Sequence, residues 1–241
     1  ELANRRHPPD VRLDLTPGRQ ADGYRHLVPP ECRVFTGKQY MLLRPEFEEM
    51  RPIAMERREH TWPITEVLIA MGGNDPDNSC ERALSGVDYF RRETGAELRV
   101  TVLTTSVANH LEAVKSRADA HSWINIEVDC RQVARLLLNV DLAIGASGSS
   151  AWERCCMGLP TLSVVNAENQ ARIDSALVDQ GACLSLGHRL QIDDDTVFRA
   201  LETVCSSQAS YQHMARSSFK ACDGSGAQQV AGLFERHSCH A

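Results

Sequence analysis

From residue 65 onward the chain predicts an α/β fold built on a parallel sheet, and two observations predict it. Short apolar runs rich in β-branched residues recur, each closed by a turn. Between them, apolar residues return at helical spacing, which is the alternation of βα units. The strand runs are Glu66–Met71, Leu98–Leu103, Trp123–Val128, Asp141–Ile144, Thr161–Val165 and Ala182–Leu186. Val133, Leu136, Leu137 and Val140 fall at i, i+3, i+4 and i+7, one face of a helix, and Val197, Leu201, Val204 and Cys205 repeat a close variant. No strand-like run follows Gln208. Val230, Leu233, Phe234 and His237 mark a further helix face, so the stretch from Gln208 to His237 predicts two terminal helices.

The first 64 residues lack this rhythm. Val11–Leu15 and Arg33–Thr36 can be strands, but Pro8, Pro9, Pro17, Pro29, Pro30, Pro45, Pro52 and Pro63 interrupt the segment, eight of the ten prolines in the chain. Such a segment cannot close a core alone. Residues 1–52 are therefore expected to be the end of a preceding domain and its crossover, with a connector from about Arg44 to Pro63 leading into a domain at 53–241. Glu1 in place of Met adds the expectation that the natural N-terminus lies upstream.

With 42% hydrophobic and 24% charged residues among 241, the chain can bury a sizeable core. Its formal net charge of -6 offers no basic field for a nucleic acid or an anionic membrane. Apolar runs such as Val67 to Met71 are far too short to cross a bilayer, and no signal-peptide pattern opens the chain, so a cytoplasmic protein is expected. The nine cysteines are scattered without a C-x2-C pair, which favours a reduced compartment, mostly buried apolar thiols and no metal centre.

Ligands of open parallel sheets bind outside the carboxyl ends of the strands, where helix N-termini present unpaired N–H groups. Three such loops have distinctive chemistry. In Met71-Gly72-Gly73-Asn74-Asp75-Pro76-Asp77-Asn78, two glycines permit close backbone approach, and Asp77 or Asn78 could cap the next helix. In Gly145-Ala146-Ser147-Gly148-Ser149-Ser150, the N–H groups of Gly148, Ser149 and Ser150 can converge on a phosphate while serine hydroxyls add donors. Glu153, one turn on, is placed to accept from a ribose diol or to complete a capping box. The third loop, Asn166 to Gln170, offers carboxamides suited to sugar hydroxyls. Together they describe a cleft for a nucleotide-diphosphate sugar. No G-x-x-x-x-G-K-[ST] occurs, which disfavours a P-loop ATPase.

The segments GGNDPDN, DLAIGASGSSAWERCCMGLP, AENQ and CDGSGAQQV resemble the UDP-sugar hydrolases of bacterial pseudaminic acid biosynthesis, relatives of the MurG glycosyltransferase with two Rossmann-like halves. DLTPGR at Asp14 to Arg19, Tyr24, LVPPECRV and YMLLRPEF at Tyr40 to Phe47 look like the end of that family's first half. The resemblance implies the C-terminal half of a GT-B (MurG-like) fold behind a remnant of the N-terminal half. It implies UDP contacts at Gly72, Gly73, Asn74, Ser147, Gly148, Ser149, Ser150 and Glu153, and sugar contacts at Asn169, Gln170 and Tyr24. The implied substrate is a UDP-linked 2,4-diacetamido-2,4,6-trideoxy hexose, with no cofactor and no metal.

One departure bears on catalysis. The family's first half opens with a glycine-rich loop carrying a histidine thought to activate water, and no such stretch occurs here; His7 and His26 do not match it, and His110 reads as the start of a helix. The catalytic base is expected upstream, so this chain alone is expected to bind UDP and hydrolyse its sugar slowly. A MurG-type glycosyltransferase and a non-catalytic UDP-binding module are the alternatives.

Overall fold

The computed structural model describes Arg6 and residues 9–238; His7, Pro8 and Cys239 lie outside them, as does the side chain of His237. Strands β1 (Val11–Asp14) and β2 (Arg33–Thr36) form a two-stranded parallel pair, followed by helix α1 (Pro45–His60). The alternation then runs β3 (Glu66–Ala70), α2 (Ser79–Thr94), β4 (Arg99–Thr104), α3 (Leu111–Ala120), β5 (Ile124–Val128), α4 (Val133–Asn139), β6 (Leu142–Ala146), α5 (Ser150–Cys156), β7 (Thr161–Val165), α6 (Ala171–Asp179) and β8 (Cys183–His188). Helices α7 (Asp194–Cys205), α8 (Gln208–Ala221) and α9 (Gly226–Ser238) complete it.

The six strands β3 to β8 make one parallel sheet in the order β5-β4-β3-β6-β7-β8. The chain runs outward from β3 in one direction, returns to β6 beside it, and runs outward in the other. That reversal opens a crevice between the carboxyl ends of β3 and β6. Both faces of the sheet are covered, which is why its central strands are continuous apolar runs rather than alternating ones. Val67, Ile69 and Ile144 pack with Leu84 and Val87 of α2 and Leu201 of α7 on one face. Leu68, Ala70 and Ala143 pack with Leu137 of α4 and Trp152 of α5 on the other.

Helix α2 lies directly on α7 at Gly86, where an added Cβ would sit 2.7 Å from Val197 Cγ1. Gly86→Ala should therefore force the two helices apart and cost about 1–3 kcal/mol of stability, measured by urea denaturation. An unchanged midpoint would mean that the pair separates freely.

The connector differs from expectation. Residues 45–60 form a 16-residue helix with Pro45 at its first turn and Pro52 inside it, and the expected boundary at 52/53 falls within this helix. Pro45 suits a first turn, but Pro52 removes an interior hydrogen bond. Three arginines supply the compensation. Arg51 donates to the carbonyls of Cys156 (2.9 Å), Cys222 (2.8 Å) and Phe219 (2.8 Å). Arg57 pairs with buried Asp141 at 2.7 Å, whose other oxygen accepts the N–H groups of Thr65 and Glu66. Arg58, 2% exposed, donates to the carbonyls of Leu137 (2.6 Å), Met157 (3.3 Å) and Val140.

The eight described cysteines are free thiols, five of them buried. Burial pushes the thiols of Cys183 and Cys205 up to about 11, which keeps both protonated and unreactive near neutrality. No described helix is long and apolar enough to cross a membrane.

Candidate functional site

The crevice is lined by the loops that leave β3, β6 and β7. In the first, Gly72 takes φ +93°, a conformation that favours glycine, and Gly72, Gly73 and Asn74 are exposed. The loop's other end is closed by Asp75. Its carboxylate accepts the N–H groups of Ser79 at 2.8 Å and Cys80 at 2.9 Å, so Asp75, not Asp77 or Asn78, caps α2. Two donors at the start of α2 are thus spent within the protein. Asn78 sits in the left-handed region without a capping bond, and Asp77 pairs with Arg189. His110 stands just before α3, with Nε2 3.2 Å from the Pro76 carbonyl.

The second loop lies beside the first, because β6 pairs with β3 at Ala70 and Gly145. A Cβ on Gly145 would be 3.0 Å from the Ala70 carbonyl, which accounts for glycine there. Ser147 departs from the expected contact set. It is fully buried, its N–H donates to the Val164 carbonyl at 2.9 Å, and its hydroxyl donates to Asp174 at 2.6 Å. Asp174 also accepts the Ser185 hydroxyl at 2.6 Å. Ser147 therefore ties β6 to β7 and α6, leaving no donor for a ligand. Gly148, Ser149 and Ser150 remain at the surface of the loop, at the start of α5, where the first N–H groups of a helix lack intrahelical partners.

Glu153 is half-buried, and no side chain at the α5 N-cap bonds the helix start, so it does not complete a capping box. Burial holds its carboxyl above the usual range, opposed by the charges of Arg44 and Arg154. Arg44, just before the connecting helix, is thus near enough for its charge to act on Glu153.

The third loop crosses both others. Asn166 Nδ2 donates to the Met71 carbonyl at 2.8 Å, and its backbone N–H donates to Gln170 Oε1 at 3.0 Å. Gln170 Nε2 lies over Gly148, 3.3 Å from where a Cβ would stand, while Asn169 is exposed. Arg189, just beyond β8, holds Asp77 and the Asn166 carbonyl together. Neither Asn166 nor Arg189 is among the expected contacts. The strand before Arg189 is legible in the sequence, and its carboxyl end was the available signal.

Tyr24, expected at the sugar, lies in the interior instead. It is fully buried and its hydroxyl donates to Asp14, while the Arg12 guanidinium lies 5.2 Å from its ring centre. Burial and then the Asp14 bond push the phenol up. It braces the β1–β2 pair and has no free face for a sugar.

No family model matches the chain. The spore coat polysaccharide biosynthesis protein SpsG of Bacillus subtilis strain 168 is 25% identical over 211 residues, covering 88% of this chain and 60% of that protein. A UDP-2,4-diacetamido-2,4,6-trideoxy-beta-L-altropyranose hydrolase of Campylobacter jejuni is 25% identical over 175 residues, covering 73% and 59%. The chain thus spans about three-fifths of either relative. Among solved structures, MnaA of S. aureus with UDP superposes with a TM-score of 0.60 at 12% identity, covering 81% of this chain and 53% of that one. The MurG of Acinetobacter baumannii superposes at 0.58 with 18% identity, covering 86% and 56%. The fold is a Rossmann-like half of the GT-B type. In this GT-B half, the crevice between β3 and β6 lies where the strand order reverses.

Proposed function

We propose that this chain is the nucleotide-binding half of an enzyme acting on a UDP-sugar, and more narrowly of a hydrolase that releases UDP from a 2,4-diacetamido-2,4,6-trideoxy hexose. The observation that carries the reading is the joining of three strand-end loops at the reversal of strand order, with Ser149 exposed there between half-buried Gly148 and Ser150. The name of the Campylobacter jejuni relative supports the narrower form.

In this reading the N–H groups of Gly148 to Ser150 hold the diphosphate, and Glu153 accepts from the ribose hydroxyls. Gly72, Gly73 and Asn74 close over the phosphates, while Asn169 and Gln170 meet the sugar at its junction with them. Water attacks the anomeric carbon, the carbon–oxygen bond to the diphosphate breaks, and UDP leaves with the electron pair. The loop's N–H groups stabilise the charge gathering on that leaving group. The water's proton needs a base within about 2.6–3.2 Å. None of the three loops carries a histidine, so the proposal assigns the base to the facing half of a complete GT-B enzyme.

UDP should bind the chain equally with and without EDTA, because backbone donors can neutralise phosphate without a divalent ion. Titration calorimetry checks this; no heat with UDP, or heat only with magnesium, would sink the reading. Free sugar released by the complete enzyme marks a hydrolase, and a requirement for an acceptor marks a transferase.

A further inference from the structure

Directly beneath the serine loop lies a buried guanidinium that the reading above leaves without a role. Arg154 is 2% exposed. Its Nη2 donates to the Ala146 carbonyl at 2.7 Å and its Nη1 to Ser150 Oγ at 3.3 Å, so one side chain grips both ends of the loop. It fits because Gly145 has no side chain: a Cβ there would stand 2.9 Å from Nη1 and 3.1 Å from Cζ.

Its charge is only partly satisfied, by the neighbouring Glu153 acting through space. Nε is buried with no hydrogen-bond partner, and among the described residues no carboxylate forms an ion pair with it. Burial pushes the group down from its usual value, yet a guanidinium stays protonated near neutrality. Arg58 shows the contrast, since its buried guanidinium meets three carbonyls. Asp174, the buried carboxylate nearby in sequence to the third loop, is committed to two serine hydroxyls instead. A buried charge kept only for shape is readily replaced by an apolar side chain of similar volume. An uncompensated one becomes favourable when an anion arrives on the surface above it, since the intervening protein screens it far less than water does.

We propose that Arg154 is a positioning residue of the nucleotide loop: a fixed buried cation that holds Ala146 and Ser150 in place and selects ligands carrying a diphosphate over uncharged nucleosides. The inference rests on the nucleotide reading and deepens it.

The test compares UDP with uridine, the first by calorimetry and the second by NMR titration at millimolar concentration, on the wild type, Arg154→Met and Arg154→Lys. Arg154→Met should lose about tenfold or more in UDP affinity while uridine affinity moves by less than about threefold. Arg154→Lys, which keeps the charge, should retain the preference for UDP to within about threefold even if its melting temperature falls. Equal losses for UDP and uridine would mark a merely structural role and overturn the proposal, as would an unchanged UDP affinity in Arg154→Met. If Arg154→Met does not fold, Arg154→Lys decides: loss of the preference with charge retained overturns it. A wild type that binds no UDP at all removes the nucleotide reading and this inference with it. A wild type that binds UDP beside an insensitive Arg154→Met removes this inference alone.

Discussion

Arg58→Ala should cost the fold about 3–5 kcal/mol. Removing the guanidinium leaves the carbonyls of Leu137 and Met157 without this donor in a dry interior, leaves that of Val140 only the 3.3 Å bond from Arg57, and opens a cavity where α1 meets α4 and α5. A buried acceptor deprived of its partner costs more than an average hydrogen bond contributes. Urea denaturation with an unchanged slope is the measurement. Arg58→Lys should recover part of the loss, because an ammonium also donates but cannot span the same three acceptors. A loss below about 1 kcal/mol would mean that water replaces the guanidinium there.

Glu153→Ala should weaken UDP binding by about 1.5–3 kcal/mol, the scale of hydrogen bonds made by a charged group. Its melting temperature should barely move, because the side chain makes no capping bond to α5. Glu153→Gln should lose less, since its carboxamide oxygen still accepts from a hydroxyl. The pH dependence has a definite sign. Burial holds the folded carboxyl above its usual range, so acidification protonates it earlier than an exposed glutamate. UDP affinity of the wild type should therefore fall relative to the Gln variant as pH drops through that raised value, the comparison cancelling titration of UDP itself. A fall in melting temperature with unchanged affinity would assign Glu153 to stability instead.

The sheet was legible because its information is local. Each of the six apolar runs overlaps an observed strand, and Thr161–Val165 coincides with β7. The terminal helices followed from spacing in the same way. Where the reading departed, the deciding partner was distant in sequence. Pro52 reads as a breaker until Arg51, Arg57 and Arg58 are seen bonding to residues 79–171 positions away. Ser147 looks like a ligand donor until its hydroxyl meets Asp174, 27 positions on. Asp75 does not read as the α2 cap from spacing because it stands four residues before Ser79, reaching over the Pro76 turn from a left-handed backbone position. Tyr24 is a further case, since resemblance transfers a residue type and not its exposure. Burial belongs to the folded neighbourhood.

Two arginines of α1 make six of the hydrogen bonds at its seam with the sheet domain. The hydrogen bonds of Arg51 and Arg58 across it end on main-chain carbonyls, those of Leu137, Val140, Cys156, Met157, Phe219 and Cys222, and Arg51 also lies 4.8 Å from the centre of the Phe219 ring. A carbonyl is common to every amino acid, so those six positions can change their side chains without deleting an acceptor, whereas replacing either arginine removes three bonds at once. Mutational tolerance at these six bonds is therefore lopsided: the two arginines bear the constraint, and Leu137, Val140, Met157 and Cys222 can drift wherever their own packing allows, whereas the Phe219 ring and the Cys156 thiol have contacts of their own with α1.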